Sequence, residues 1–195
     1  MPDRITDELL LEKAGAGESA AFVQIYERHR DPIFRFAYRL SGSVEIAEDI
    51  THDCFLGILR QPASFRPGRA TLRTYLLGAA RNLWLKRLRI LDRESELDDT
   101  AEAKFEAGGR GPLREVLDDE LTAAVKQAVS DLPPMQREAL VLFEYEGLAL
   151  NEIADIVGAD VGAVKARLHR ARQGLRSSLV TYLNSNREIV TLEKA

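Results

Sequence analysis

The chain has 195 residues, of which 45% are apolar and 30% charged, and its formal net charge is −4. This composition is typical of a globular protein with one medium or two small domains. No apolar run approaches the roughly 18 residues that a membrane-spanning helix requires. The single cysteine excludes an internal disulfide framework, and the N-terminal segment has acids where a signal peptide would have cations. These features predict a protein of a reducing cytoplasm.

The charge is distributed unevenly along the chain. Residues 54–91 contain eight cations and no acid, and residues 161–176 contain five cations and no acid. Between them, residues 92–120 carry eleven acids against four cations, which is a net charge of −7. Two basic segments separated by an acidic one indicate two polyanion-binding surfaces. The alternative for either segment alone is a solvated helix face.

Helical periodicity dominates the sequence, because apolar residues recur at spacings of three and four and no alternating strand pattern is present. The predicted fold class is therefore all-α, with helices at 18–30, 32–41, 44–60, 71–90, 114–130, 134–146, 150–157 and 161–182. Ser43 and Asp131 are the predicted N-caps of two of them. Prolines and glycines make 61–70 a loop and interrupt 105–112. We predict two small helical domains, at 1–91 and 114–183, with a flexible acidic linker at 92–113 and a tail at 184–195.

The helix predicted at 44–60 has one apolar side and one acidic side. Winding it at about 100° per residue directs one set of side chains inward, namely Ile46, Ala47, Ile50, Cys54, Gly57 and Ile58. The outward set is Glu45, Glu48, Asp49, His52 and Asp53, with Leu56 and Leu59 among them. Acids repel DNA, whereas leucines inside a charged ring are typical of the centre of a protein interface. This acidic face is therefore predicted to bind a protein, with an ordinary solvated helix as the alternative.

The helix predicted at 71–90 is apolar on one side and basic on the other. Its inward side is predicted to hold Trp84 as a core residue, on the same wide apolar side as Leu72, Leu76, Leu77, Ala79, Leu83, Leu88 and Ile90. Its polar side and the preceding loop combine an aromatic ring, an amide and several cations. That combination suits single-stranded nucleic acid, and the candidate residues are Arg66, Arg69, Thr71, Arg73, Tyr75, Arg81, Asn82, Lys86 and Arg89.

Residues 152–172 have the spacing of a helix-turn-helix motif. Ala154 supplies a small residue where two helices cross, Gly158 a turn and Val164 an apolar anchor on the second helix. The winding of 161–176 buries Val161, Val164, Leu168, Ala171 and Leu175, and turns outward Lys165, Ala166, His169, Arg170 and Gln173. Arg167 and Arg172 lie on the flanks, where they are predicted to contact phosphates. The second helix is therefore predicted to enter a DNA major groove, and a purely structural helix pair is the alternative.

The order and spacing of these motifs resemble those of a known protein family. The segments "AEDITHDCFLGIL" (47–59), "YLLGAARNLWLKRLR" (75–89) and "LPPMQREALVLFEYEGLALNEIADIVGADVGAVKARLHRARQGL" (132–175) are similar to bacterial sigma factors of the extracytoplasmic-function (ECF) group, in the sigma-70 superfamily. The resemblance covers roughly 20–91 and 114–182. It implies a promoter-specificity subunit of RNA polymerase, whose first domain docks on core polymerase and opens the −10 element and whose second domain reads the −35 element.

The resemblance also implies roles for individual residues. Glu48, Asp49, His52, Asp53 and Leu56 match the helix that binds the polymerase clamp, and Asn82 matches an asparagine associated with promoter melting. Lys165, His169 and Arg170 match positions that contact the −35 element. An anti-sigma protein is the further partner implied, and it could hold the chain at the inner membrane. Ala149 and Ala163 depart from the family, which usually has a hydroxyl residue at these two helix starts.

Two other classes of protein, a helix-turn-helix regulator and an enzyme, explain fewer of these features. An autonomous helix-turn-helix regulator would explain 150–172 but would leave the acidic helix and the middle basic segment without roles. An enzyme is not predicted, since no phosphate-binding loop or nucleophile motif is present. His52 and Cys54 lack further ligands at close spacing, so neither a metal nor a cofactor is predicted.

Overall fold

The computed structural model describes residues 5–97 and 116–192, and within them the side chains of 5–90, 121–180 and 182. These described residues form helices and loops without a strand, in agreement with the predicted all-α class. The chain divides into two units, Met1–Lys104 and Phe105–Ala195, whose boundary falls inside the predicted linker. Residues 98–113 of that linker lie outside the described residues.

The first unit consists of α1 (Asp7–Gly15), α2 (Ser19–Ser41), α3 (Val44–Arg60), a short 3-10 turn (Pro62–Ser64) and α4 (Leu72–Leu97). Helix α2 is central, because it packs against α1, α3 and α4. Trp84 is 2% exposed, which confirms its prediction as a core residue. Ile90, predicted to face inward, is 45% exposed, since the buried stripe of α4 instead follows Leu72, Leu76, Leu77, Ala80 and Trp84.

Helix α2 runs without interruption through Pro32, although the sequence predicted a break between residues 30 and 32. Proline inside a helix removes one backbone hydrogen bond and costs about 3 kcal/mol. The residues on either side of Pro32 nevertheless bury one continuous stripe at helical spacing, formed by Ala21, Ile25, His29, Ile33, Phe36, Ala37 and Leu40. Tertiary packing of this stripe offsets the local cost, so the two predicted helices form one.

Helix α1 was missed by the sequence analysis. It begins at the N-cap Thr6, whose side-chain oxygen accepts a hydrogen bond from the backbone N–H of Leu9 at 3.4 Å. Leu10, Leu11 and Ala14 bury its inner side. The threonine cap followed by two acids in the first turn is a helix-start pattern that the sequence did offer.

The second unit consists of α5 (Val116–Ser130), α6 (Pro134–Leu140), a π-helical turn (Val141–Tyr145), α7 (Leu150–Val157) and α8 (Val161–Leu192). Helices α5, α6 and α7 all pack against α8. Helix α8 continues past residue 182, into the segment predicted to be a tail. The prediction of Asp131 as an N-cap was wrong, because Pro133 occupies that position and the Asp131 carboxylate accepts a hydrogen bond from Gln127 at 2.8 Å.

Candidate nucleic-acid interface

The turn between α7 and α8 has the geometry that a helix-turn-helix requires. Gly158 ends α7 in the left-handed conformation, with φ of +63°, and its backbone N–H donates to the carbonyl of Ala154. Ala154 is 8% exposed, and its small side chain leaves room for α8 to cross close to α7. Val164 and Leu168 anchor the second helix in the core, as predicted. Two predictions for this face were wrong, because Val161 is 36% exposed and Leu175 is only half-buried.

Two acids accept backbone hydrogen bonds at the starts of α7 and α8, where Ala149 and Ala163 have no side-chain hydroxyl. The carboxylate of Glu152 accepts a hydrogen bond from the backbone N–H of Ala149 at 2.9 Å. Asp160 Oδ1 accepts one from the backbone N–H of Ala163 at 2.8 Å, so Asp160 caps the start of α8. An aspartate just before an apolar helical run is a signal that the sequence analysis could have used.

The outward face of α8 carries most of the predicted DNA contacts. Lys165, His169, Arg170 and Gln173 are exposed, and Ala166 between them is half-buried. An exposed helix face that combines cations with an amide can donate hydrogen bonds to base edges and phosphates in a major groove.

Arg167 does not lie on the DNA-facing surface as the sequence predicted. Its side chain is 13% exposed, and its Nη1 donates to Oε1 of Glu138 on α6 at 3.2 Å. The carboxylate of Glu138 is 0% exposed. Arg167 is therefore half of a buried ion pair that joins α6 to α8, and we withdraw it as a predicted phosphate contact. The winding of α8 alone could not reveal this, because the partner acid comes from another helix.

Arg172, on the opposite flank of α8, is exposed but is also paired with an acid. Its Nη2 and Nε lie 2.6 and 3.1 Å from Oε1 of Glu144 in the π-helical turn. Its guanidinium also lies over the ring of Phe143, 5.4 Å from the ring centroid. The acids Glu138 and Glu144 thus hold the two flanks of α8, and the sequence analysis assigned neither of them a role.

In the first unit, the basic loop leads into α4 through a set of local hydrogen bonds. Thr71 Oγ1 accepts from the backbone N–H of Thr74 at 3.1 Å, so Thr71 caps α4. The hydroxyl of Tyr75 lies 2.6 Å from Ser64 Oγ, and its ring packs edge-on against Phe65 at 5.7 Å. Thr71 and Tyr75 therefore shape the loop that exposes Arg66 and Arg69.

The rest of the predicted single-strand surface lies along α4. Asn82, Lys86 and Arg89 are exposed, while Arg73 and Arg81 are half-buried. Arg81 Nη1 lies 3.4 Å from Asn82 Oδ1. The exposed residues Asn82, Lys86 and Arg89 form an amide-and-cation surface beside the loop. Trp84 is buried on the other side of the helix and is not part of this surface.

Helix α3 presents the acidic face at the surface as predicted. Ser43 caps the helix, with its Oγ accepting from the backbone N–H of Ile46 at 3.2 Å. Glu45, Glu48, Asp49, His52 and Asp53 are exposed, Leu56 is half-buried and Leu59 is 39% exposed. Gly57, predicted to face inward, is exposed. Asp49 forms an ion pair of 2.9 Å with Arg87 of α4, which joins the acidic face to the basic helix.

The interior of the first unit also contains two titratable groups. Burial raises the pKa of the Cys54 thiol to about 12, and Asp53 adds to that rise. His29 is 5% exposed, and its Nε2 lies 2.8 Å from Oδ2 of Asp7, which also pairs with Arg28. Burial lowers the pKa of His29, although the carboxylate of Asp7 opposes that shift. This network fastens α1 to α2.

Neither a metal site nor a membrane span emerges from the part of the chain that the structure describes. Its His, Cys, Asp and Glu residues form no group of three or more that could hold a metal ion. Its helices include none that is both long and apolar enough to cross a membrane.

Comparison with known families identifies both units. Residues 25–94 match the family Sigma-70 region 2, and residues 122–175 match the family Sigma-70 region 4. The first match contains the acidic face and the basic helix α4 up to residue 94, and the second contains the helix-turn-helix. The two units are therefore the two conserved domains of a sigma-70-type sigma factor.

Individual relatives place the chain more closely. It is 34% identical to the ECF RNA polymerase sigma factor SigE of Mycolicibacterium smegmatis over 160 residues, which are 82% of this chain and 62% of that protein. It is 32% identical to the ECF RNA polymerase sigma factor SigW of Bacillus subtilis over 177 residues, which are 87% of this chain and 94% of that protein. The chain thus belongs to the ECF group of RNA polymerase sigma factors.

A solved structure supports the same assignment. The sigma factor RpoE of Bartonella quintana, crystallised in complex with the anti-sigma factor NepR, matches with a TM-score of 0.66 and 27% identity. The match covers 81% of this chain and 96% of that one.

Proposed function

We propose that this protein is a non-catalytic initiation factor that directs core RNA polymerase to specific promoters and helps to open them. The observation that carries the proposal is the pairing, in one chain, of a region 2 domain with an acidic surface face and a region 4 domain with a cationic recognition helix. An autonomous helix-turn-helix regulator would need only the second domain. The match to region 2 disfavours that alternative.

Each face suits one partner. The acidic face of α3, with Leu56 and Leu59 among its acids, suits a basic groove with an apolar centre on core polymerase. The loop at 61–70 and the exposed residues Asn82, Lys86 and Arg89 suit the unpaired strand of the −10 element. The outward face of α8 suits the duplex −35 element, with Arg170 and His169 near its centre.

Regulation and location follow from the same assignment. The structural relative RpoE is bound by an anti-sigma factor, and we propose that this chain has a partner of the same kind. Such a partner would block the polymerase-facing or DNA-facing surfaces. The protein would act in the bacterial cytoplasm, where its polymerase and its promoters are.

The test of the proposal is binding to purified core polymerase. The double variant Asp53→Arg/Leu56→Glu should lose at least about 30-fold in affinity, because one buried interface anchor is worth roughly 2 kcal/mol or more. Glu12→Gln, at an exposed position of α1, changes the net charge by the same +1 and should bind normally. Circular dichroism checks that both variants keep their helices. Unchanged affinity of the double variant would exclude the acidic face as the docking surface.

A further inference from the structure

The π-helical turn carries an acid beside the cationic face of the recognition helix. Glu144 is 44% exposed and Arg172 is 55% exposed, so their ion pair lies at the protein surface and not in the core. Two nitrogens of Arg172 share one oxygen of Glu144, and the ring of Phe143 lies beneath the guanidinium. The arrangement therefore holds Arg172 in one orientation.

An exposed pair of this kind contributes little to the stability of the fold. Many surface ion pairs contribute nothing measurable to stability, because solvent and salt screen them. The fold of this unit is instead supported by the buried contacts of α6 and α7 with α8, including Ile153, Val164 and Leu168. Glu144 can therefore be altered without loss of the domain, and its position next to the recognition helix calls for another explanation.

The flank that carries Arg172 is the one on which phosphates would run. Lys165 and Arg176 lie seven residues before and four residues after Arg172, so all three share one side of α8. If the outward face of α8 enters a major groove, this side lies along one phosphate strand. A phosphate that reaches Arg172 must then compete for its charge with the carboxylate of Glu144, which already accepts hydrogen bonds from Nη2 at 2.6 Å and from Nε at 3.1 Å.

We propose that Glu144 competes with DNA phosphate for Arg172 and so limits the sequence-independent affinity of the recognition helix. The inference rests on the proposed function, because it requires that α8 meets DNA. Such a device would suit a protein that must leave non-promoter DNA readily, since phosphate contacts dominate non-specific binding.

The experiment measures binding of the full-length protein to a short random-sequence duplex across a salt series. Glu144→Gln should bind several-fold more tightly than the wild type, with a salt slope steeper by about 0.9, the value of one added phosphate contact. Asp155→Asn removes an exposed acid from α7 with the same charge change and is the matched control. It should produce a smaller gain and no steeper slope.

A double-mutant cycle assigns the effect to Arg172. In an Arg172→Ala background, Glu144→Gln should give no larger gain in affinity than Asp155→Asn does, because the cation that it would release is absent. An unchanged affinity in Glu144→Gln, or a gain that stays as large in the Arg172→Ala background as in the wild type, would overturn the inference. Failure of the proposed function would appear separately, as a wild-type protein that does not bind core polymerase.

Discussion

The buried ion pair between Glu138 and Arg167 should stabilise the second unit without contacting DNA. With Glu138 at 0% and Arg167 at 13% exposure, removal of either partner deprives the other charge of this ion pair inside the protein. Breaking a buried pair in this way costs about 3–5 kcal/mol. Because a whole domain is usually stable by only about 5–15 kcal/mol, Arg167→Met alone should remove a large part of the stability of this unit.

The paired replacement Glu138→Leu/Arg167→Met separates charge burial from packing. Apolar residues of similar volume in place of both partners are often neutral or stabilising. The double variant should therefore recover most of the stability that Arg167→Met loses. A double variant no more stable than the single one would show that the loss came from packing of the arginine stem and not from the loss of this ion pair.

The chain provides its own control for this measurement. Its single tryptophan, Trp84, is buried in the first unit, so tryptophan fluorescence follows the unfolding of that unit in urea. Circular dichroism follows the helices of both units. Arg167→Met should leave the urea midpoint of the fluorescence transition unchanged. In circular dichroism, only the loss of helix signal from the second unit should move to a lower urea concentration.

DNA binding by the same variant decides between the two roles of Arg167. A residue that contacts a phosphate contributes about 0.9 to the slope of log affinity against log salt concentration. We expect the slope of Arg167→Met to equal that of the wild type under conditions where both are folded. Unchanged stability together with a slope lower by about 0.9 would refute the structural role and restore the phosphate contact that the sequence suggested.

Three further predictions concern single residues. Arg170→Ala should cost about 1–3 kcal/mol for holoenzyme binding at the preferred −35 sequence and much less at a scrambled one, because its exposed guanidinium can read base edges. Asn82→Ala should leave core binding normal but slow strand opening, as permanganate footprinting would record. In urea unfolding between about pH 6.5 and 5.5, His29→Gln should show a weaker pH dependence than the wild type. Because the pKa of His29 is lowered in the fold, the unfolded chain takes up the proton first, and wild-type stability falls as pH drops below about 6.5.

Each of these has a contrary outcome. Equal losses at matched and scrambled promoters would make Arg170 a phosphate contact. Normal opening by Asn82→Ala would remove its assigned role in melting. An unaltered pH dependence in His29→Gln would mean that the groups around His29, namely Asp7, Arg28 and Arg73, keep its proton affinity equal in the folded and unfolded chains.

The sequence predicted the helical class, most helix starts and the solvent-facing side of α3 and α8, because these follow from periodicity within one helix. It failed where a residue depends on a second element. Pro32 breaks a helix by local rules, yet the stripe from Ala21 to Leu40 keeps α2 continuous. Ile90 lies on the predicted apolar arc of α4, but nothing from α2 or α3 covers it enough to bury it.

In the recognition helix α8, ion pairs with acids of other elements change the expected salt dependence of DNA binding. Five cations in 161–176 would suggest a contribution of about 4–5 to the salt slope if all met phosphates. Arg167 and Arg172 are instead paired with Glu138 and Glu144. Among the described residues, no acid is paired with Lys165, Arg170 or Arg176. Because Arg170 is expected to read base edges, Lys165 and Arg176 give an expected contribution of about 2. A helix with so few phosphate contacts would bind DNA weakly by itself. Under the proposed function, core polymerase would hold both DNA-binding units on one promoter and so strengthen the binding of each.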